Sequence, residues 1–217
     1  FMVVDACWQE IAVRDASCSG GPWFRGNRRF PDMPGLAARM KAEGTRPGLW
    51  CRPLLTAENL PREWFLKRDR FGLPYEGEIL DPTVPEACAC ITADIARFVS
   101  WGYELVKHDF STFDLLGRWG FQMGGAVTSS GWSFSDRTQT TAQAVKRLYA
   151  AVLAGADTGN ALVLGCTSIG HLAAGRADGQ HQQLLQVKGV FGVGATIYHL
   201  HHRHRHLYQS LIHNTQG

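Results

Sequence analysis

The chain has 217 residues, 45% of them apolar, with 22 Lys and Arg against 19 Asp and Glu. That apolar share fits the core of one large domain or two small ones and excludes a disordered chain. A formal net charge of +3 with the signs mixed offers no basic surface for nucleic acid, and the longest apolar runs, Ala161 to Leu164 and Tyr149 to Ala154, fall far short of a bilayer span.

In chain order, the first residues, Phe1-Met2-Val3-Val4-Asp5, already read as an apolar strand. They show neither an initiator methionine nor the regions of a signal peptide, so the chain reads as a piece of something longer. A helix is predicted from Asp32, an N-cap followed by Pro34 in the first turn, through Leu36, Ala37, Met40 and Lys41 to a stop at Gly44. A strand follows at Pro47 to Cys51. A second helix begins after Pro85, with Ile91, Ile95, Phe98 and Val99 on one face and Gly102 placed to end it. The strand Tyr103 to Phe110 comes next. A third helix is predicted from Thr140 to Ala154, opened by the Thr140/Gln143 capping-box pattern, and after Gly155 a strand runs from Ala161 to Leu164.

Helix, glycine and strand recur three times after an opening strand, which predicts parallel strands joined by right-handed helical crossovers. Asp5 and Trp8, Trp50 and Arg52, Lys107 and Asp109, and Cys166 sit at or just beyond the C-terminal ends of their strands. In a (β/α) barrel that end carries the active site, whereas a doubly wound sheet concentrates ligands at one switch point. The expected class is therefore α/β, part of a (β/α)8 TIM-type barrel. The segments Gln9 to Arg29 and Ser111 to Arg137 then become loops over the pocket.

A strand has a side-chain period of two, so Lys107 and Asp109 share one face while Val106 and His108 share the other. Two readings stay open: a structural ion pair, or a lysine that keeps a nucleophilic carboxylate ionised. The six cysteines lack the paired spacing of a zinc site; Cys7 with Cys18 is the pair to check for a bridge, and the rest read as free thiols. Seven Trp and eleven Phe can stack on sugar faces or pack a core.

The motifs Val4-Asp5-Ala6-Cys7-Trp8, Phe30-Pro31-Asp32-Met33-Pro34-Gly35-Leu36, Gly48-Leu49-Trp50, Leu80-Asp81-Pro82 and Val106-Lys107-His108-Asp109 stand in an order that resembles the melibiase-type α-galactosidases of glycoside hydrolase families 36 and 27. The resemblance covers roughly residues 1 to 175. It implies that Asp109 is the nucleophile and that Lys107 contacts the sugar. It implies that Asp5 and Trp8 hold sugar hydroxyls, that Trp50 lines the sugar subsite, and that Cys166 is the cysteine on the strand after the nucleophile. The expected partner is an α-galactoside or a related oligosaccharide. At two positions the pattern departs: Ala6 stands where the family has a second aspartate, and Arg52 where an acidic residue often precedes the proline.

Retaining hydrolysis needs two carboxyl groups about 5 to 5.5 Å apart, one attacking and one acting as acid and then base. The chemistry calls for no metal and no organic cofactor. In the resembling families the acid/base is an aspartate further along the chain, and here Asp178, in Gly175-Arg176-Ala177-Asp178-Gly179, is the available residue. An Ala-Asp-Gly sequence is also a surface-turn pattern. The division expected is a partial barrel over residues 1–178 and a Gln- and His-rich tail over 179–217 that does not match the family. The tail's histidines, His199, His201, His202, His204, His206 and His213, are compatible with transition-metal ligation or with an unrelated segment. An alternative to the enzyme is an impaired fragment or sugar-binding module that lacks the acid/base.

Overall fold

The computed structural model describes residues 1–10, 20–68, 78–118, 123–173, 179–182 and 196–198. In chain order its elements are β1 (Met2–Val4), α1 (Met33–Ala42), β2 (Pro47–Cys51), β3 (Leu55–Thr56), β4 (Lys67–Arg68), β5 (Glu78–Ile79) and α2 (Pro85–Ser100). There follow β6 (Leu105–His108), α3 (Ser111–Leu116), β7 (Trp132–Ser133), α4 (Thr141–Asp157), β8 (Leu162–Cys166), α5 (Gly170–Ala173), β9 (Gly179–Gln182) and β10 (Thr196–Tyr198).

The main sheet has the order β1-β2-β6-β8-β9-β10. Its first five strands are parallel, and β10 runs antiparallel to β9. This is the α/β crossover architecture expected from the repeat. The order runs from one edge strand to the other without closing among the described residues, and β9 and β10 lie beyond residue 178. Two small antiparallel ladders, β3 with β5 and β4 with β7, interrupt the crossovers.

Local chemistry fixes the helix ends. The Asp32 side chain accepts the Gly35 N–H at 2.8 Å, and Gly44, at φ +74°, turns the chain out of α1. Before α4 the Gln143 N–H donates to the Thr140 hydroxyl while the Thr140 N–H donates to the Gln143 side chain, at 3.3 and 2.7 Å, the reciprocal pattern of a capping box. The expected end of that helix is corrected: α4 runs through Gly155 to Asp157. Gly155 is a packing glycine, since a Cβ there would lie 2.6 Å from Ile95 Cβ and 2.7 Å from the Thr92 carbonyl on α2. The missing side chain lets the two crossover helices meet.

Both helices bury one stripe. Ala87, Ile91, Ile95 and Phe98 of α2, and Val145, Leu148, Tyr149 and Val152 of α4, pack with Leu49, Val106 and Val163 of the central strands into one core. Asp94 shares the buried face of α2. The sheet therefore has one face sealed by helices, and polar side chains gather at the C-terminal ends of its parallel strands.

Candidate active site

Strand register builds the site. Trp50 of β2 pairs with Lys107 of β6, which pairs with Leu164 of β8, and one residue further on Cys51, His108 and Gly165 are in line. The period of two sets Trp50, Lys107 and Leu164 on one face and the other three on the opposite face. The helix-side position of His108 is borne out by its ring, which lies 5.5 Å from that of Tyr149 on α4.

The ladder continues one step past β6, where the Asp109 N–H donates to the Cys51 carbonyl at 2.9 Å. Phe110 then adopts a left-handed backbone, φ 60° and ψ 3°, as the N-cap of α3. This turn leaves the Asp109 carboxylate 3% exposed at the strand end. Among the described residues, three donors reach it. Oδ1 accepts the Phe110 N–H at 2.7 Å and the Thr167 hydroxyl at 3.1 Å, and Oδ2 accepts the Trp50 indole N–H at 3.2 Å.

The partner of Lys107 differs from the one its sequence position suggests. Its ammonium lies 2.7 Å from Asp5 Oδ2, across β2, and among the described residues it makes no ion pair with Asp109. Positions two apart on one strand are separated by about 6.6 Å along the chain, and the Asp109 oxygens already accept from the turn and from Trp50. Lys107 is nearly buried whereas the Asp5 side chain is 58% exposed, and Asp5 Oδ1 takes the Ala6 N–H at 2.8 Å.

Arg52, just after β2, is as buried as the core: it and Asp114 of α3 are each 1% exposed. The Arg52 Nε–H lies 3.0 and 3.1 Å from the two Asp114 oxygens, and its guanidinium stacks 4.5 Å over the Phe110 ring. Asp114 also donates its N–H to the Phe110 carbonyl at 2.8 Å. The pair thus braces the turn that presents Asp109.

Other expected site residues are placed differently. Trp8 is fully buried, edge-on to Phe98 and Trp101 and beside Trp23, with its indole N–H on the Trp50 carbonyl at 2.7 Å. The structure does not bring it to Asp109. Cys166 is fully buried at the end of β8, one position beyond the Gly165 that pairs with His108. Asp178, Cys18 and the histidines from His199 onward lie outside the described residues. Among the described residues no group of three His, Cys, Asp or Glu side chains is placed to hold a metal ion.

Two contributors went unread in the sequence, and a third was read only as part of a motif. Thr167 has no signal beyond its place after a strand. Asp114 stands between the apolar Phe113 and Leu115-Leu116, a hint of a buried charge in need of a cation. Asp81 lies in a recognised motif, and its role is structural: Oδ1 accepts the Thr83 N–H and hydroxyl at 2.8 and 2.7 Å, and Oδ2 accepts the Ser135 N–H at 2.6 Å. It ties the start of α2 to the loop before α4.

No family model matches this chain, and no curated protein does. Solved structures do. An α-galactosidase from Lactobacillus brevis is 19% identical, aligned over 76% of this chain and 22% of its own, with a TM-score of 0.52. A glycoside hydrolase family 36 α-galactosidase, AgaA from Geobacillus stearothermophilus, in complex with raffinose, is 20% identical over 76% of this chain and 23% of its own, with a TM-score of 0.51. An α-galactosidase from Thermus thermophilus, in complex with p-nitrophenyl α-D-galactopyranoside, is 25% identical over 71% of this chain and 30% of its own, with a TM-score of 0.48. What the first two share with this chain is the fold. It is an α/β fold with a parallel sheet, similar to that of family 36 catalytic domains, and the chain spans less than a third of the length of each of these proteins.

Proposed function

We propose that this chain carries a retaining glycoside hydrolase site for terminal α-linked, galactose-like sugars, with Asp109 as its nucleophile. The observation that carries the reading is the Asp109 carboxylate, held by three donors at the C-terminal end of the parallel sheet, where this architecture builds active sites. The fold likeness to α-galactosidases supports the substrate class, as do the ordered motifs around Asp5, Trp50 and Asp109.

In this reading Asp109 attacks the anomeric carbon, the bond to the leaving oxygen breaks, and its electron pair departs with that oxygen. Asp178 supplies the proton to the leaving oxygen and later takes one from water. Lys107 and the exposed Asp5 carboxylate form a polar pair that holds sugar hydroxyls, Trp50 forms the wall against the nucleophile, and Cys166 backs the neighbouring strand end. Trp8 acts through packing, by fixing the carbonyl of Trp50. No step requires a metal or an organic cofactor.

The test is release of nitrophenol from p-nitrophenyl α-galactoside. Asp109→Asn is expected to lower the rate by about a thousandfold or more, since it removes the group that forms the covalent bond. Release at an unchanged rate overturns the proposal.

A further inference from the structure

The hydrogen bonds to Asp109 are distributed unevenly between its two oxygens. An ionised carboxylate has about four acceptor positions. The Phe110 N–H and the Thr167 hydroxyl occupy both of those on Oδ1, and the Trp50 indole occupies one on Oδ2. We propose that Thr167 is a positioning residue that locks Oδ1 and so assigns Oδ2 as the atom that bonds to the sugar. The inference rests on the function proposed above and specifies which atom acts and what holds it.

The backbone supports the same assignment. Both donors to Oδ1 come from residues in the left-handed region, Phe110 at φ 60° and Thr167 at φ 48°. For a β-branched residue such as threonine that region is a genuine outlier, sustained only where the surroundings over-determine it. Here the Thr167 carbonyl accepts the Thr112 N–H at 3.3 Å, and two residues on the Ile169 N–H donates to the Tyr149 hydroxyl at 2.9 Å. The turn after β8 is pinned on both sides, and the strained residue within it is 5% exposed with its hydroxyl aimed at the nucleophile.

The chemical consequence falls mainly on the second half of the reaction. In the first step the Oδ2 lone pair forms the bond to the anomeric carbon and the leaving group takes the old bonding pair. Oδ1 becomes the carbonyl oxygen of the glycosyl ester and keeps both donors. When a second nucleophile attacks the anomeric carbon, the bond to Oδ2 breaks, its electron pair returns to the carboxylate, and the charge regained on Oδ1 is met by a donor already in place. Hydrogen bonds to an ionised acceptor are roughly twice as strong as neutral ones. Thr167 therefore makes Asp109 a better leaving group.

The experiment uses the full chain and 5-fluoro-α-D-galactosyl fluoride, whose fluoride leaves as an anion without a general acid. Mass spectrometry follows the label and locates it. After excess reagent is removed, azide, which needs no general base, displaces the sugar. Wild type and Thr167→Ser are expected to carry the label on Asp109 and to lose it at similar rates. Thr167→Val and the smaller Thr167→Ala, both without a hydroxyl, are expected to carry it on Asp109 and to lose it about tenfold more slowly. Loss at the wild-type rate from either hydroxyl-free variant overturns the assignment while the proposed function stands. A wild-type chain that takes no label, or takes it elsewhere than on Asp109, overturns the proposed function and the assignment with it.

Discussion

At the scale of single residues, the Arg52–Asp114 pair is the most consequential contact outside the carboxylate itself. Both side chains are 1% exposed, so each charge helps to offset the cost of burying the other. Arg52→Met takes a bidentate buried cation from Asp114 and is expected to cost about 3–5 kcal/mol in urea unfolding. The double variant Arg52→Met/Asp114→Leu is expected to recover much of that loss, because it removes both charges of the pair. A single substitution that costs under about 1 kcal/mol contradicts this view. The partners are 62 residues apart, which explains why only half of the pair was legible: Arg52 drew notice as a departure from a motif, but no local pattern points to Asp114. The place of Asp109 at a strand end was legible because that position depends only on local periodicity. The partner of Lys107 was not, because it depends on which carboxylate lies level with it two strands away.

At the scale of elements, the seam between α2 and α4 depends on Gly155. The Thr92 hydroxyl donates to the Ala151 carbonyl at 3.0 Å across the same seam, so the helices have little room to part. Gly155→Ala places a methyl group within 2.6 Å of Ile95 Cβ. The expected loss is about 1–3 kcal/mol, typical of overpacking, and is read as a lower melting temperature. A gain in stability, as helix propensity alone would give, contradicts the packing argument. The elements themselves were largely readable. The bounds of β2, the Asp32 cap, the stripe of α2 and the Thr140 capping box follow from short-range chemistry. The sequence predicts the helix only to Ala154, because a glycine that ends a helix and one that admits a neighbouring helix look alike until the neighbour is placed. The antiparallel β10 lay outside the repeat from which the parallel sheet was read.

At the scale of the whole molecule, two buried titrations oppose each other. Burial lowers His108 from 6.5 to about 4, against a smaller upward pull from Asp109. Between those values the unfolded chain binds a proton that the folded chain does not, so this residue's contribution to stability is lost as pH falls through the window, by about 3 kcal/mol in full. Burial raises Asp94 from 3.8 to about 6, despite its bond with Arg97; here the folded chain binds the extra proton, and stability is lost as pH rises. A wild-type profile mixes both slopes. The difference between wild type and His108→Asn isolates the first: relative to the variant, wild type is expected to lose about 3 kcal/mol between pH 7 and pH 4 in urea unfolding. A difference that stays constant with pH contradicts it.

The ion pair between Lys107 and Asp5 has a kinetic meaning as well. Its members are 102 residues apart, and they come level only when β1, β2 and β6 lie side by side. Closing so long a loop costs chain entropy before the contact returns anything. The capped helices, built from contacts a few residues apart, have no such delay. The same pair that lines the proposed sugar site is therefore a long-range contact whose formation requires the first three parallel strands to share one sheet.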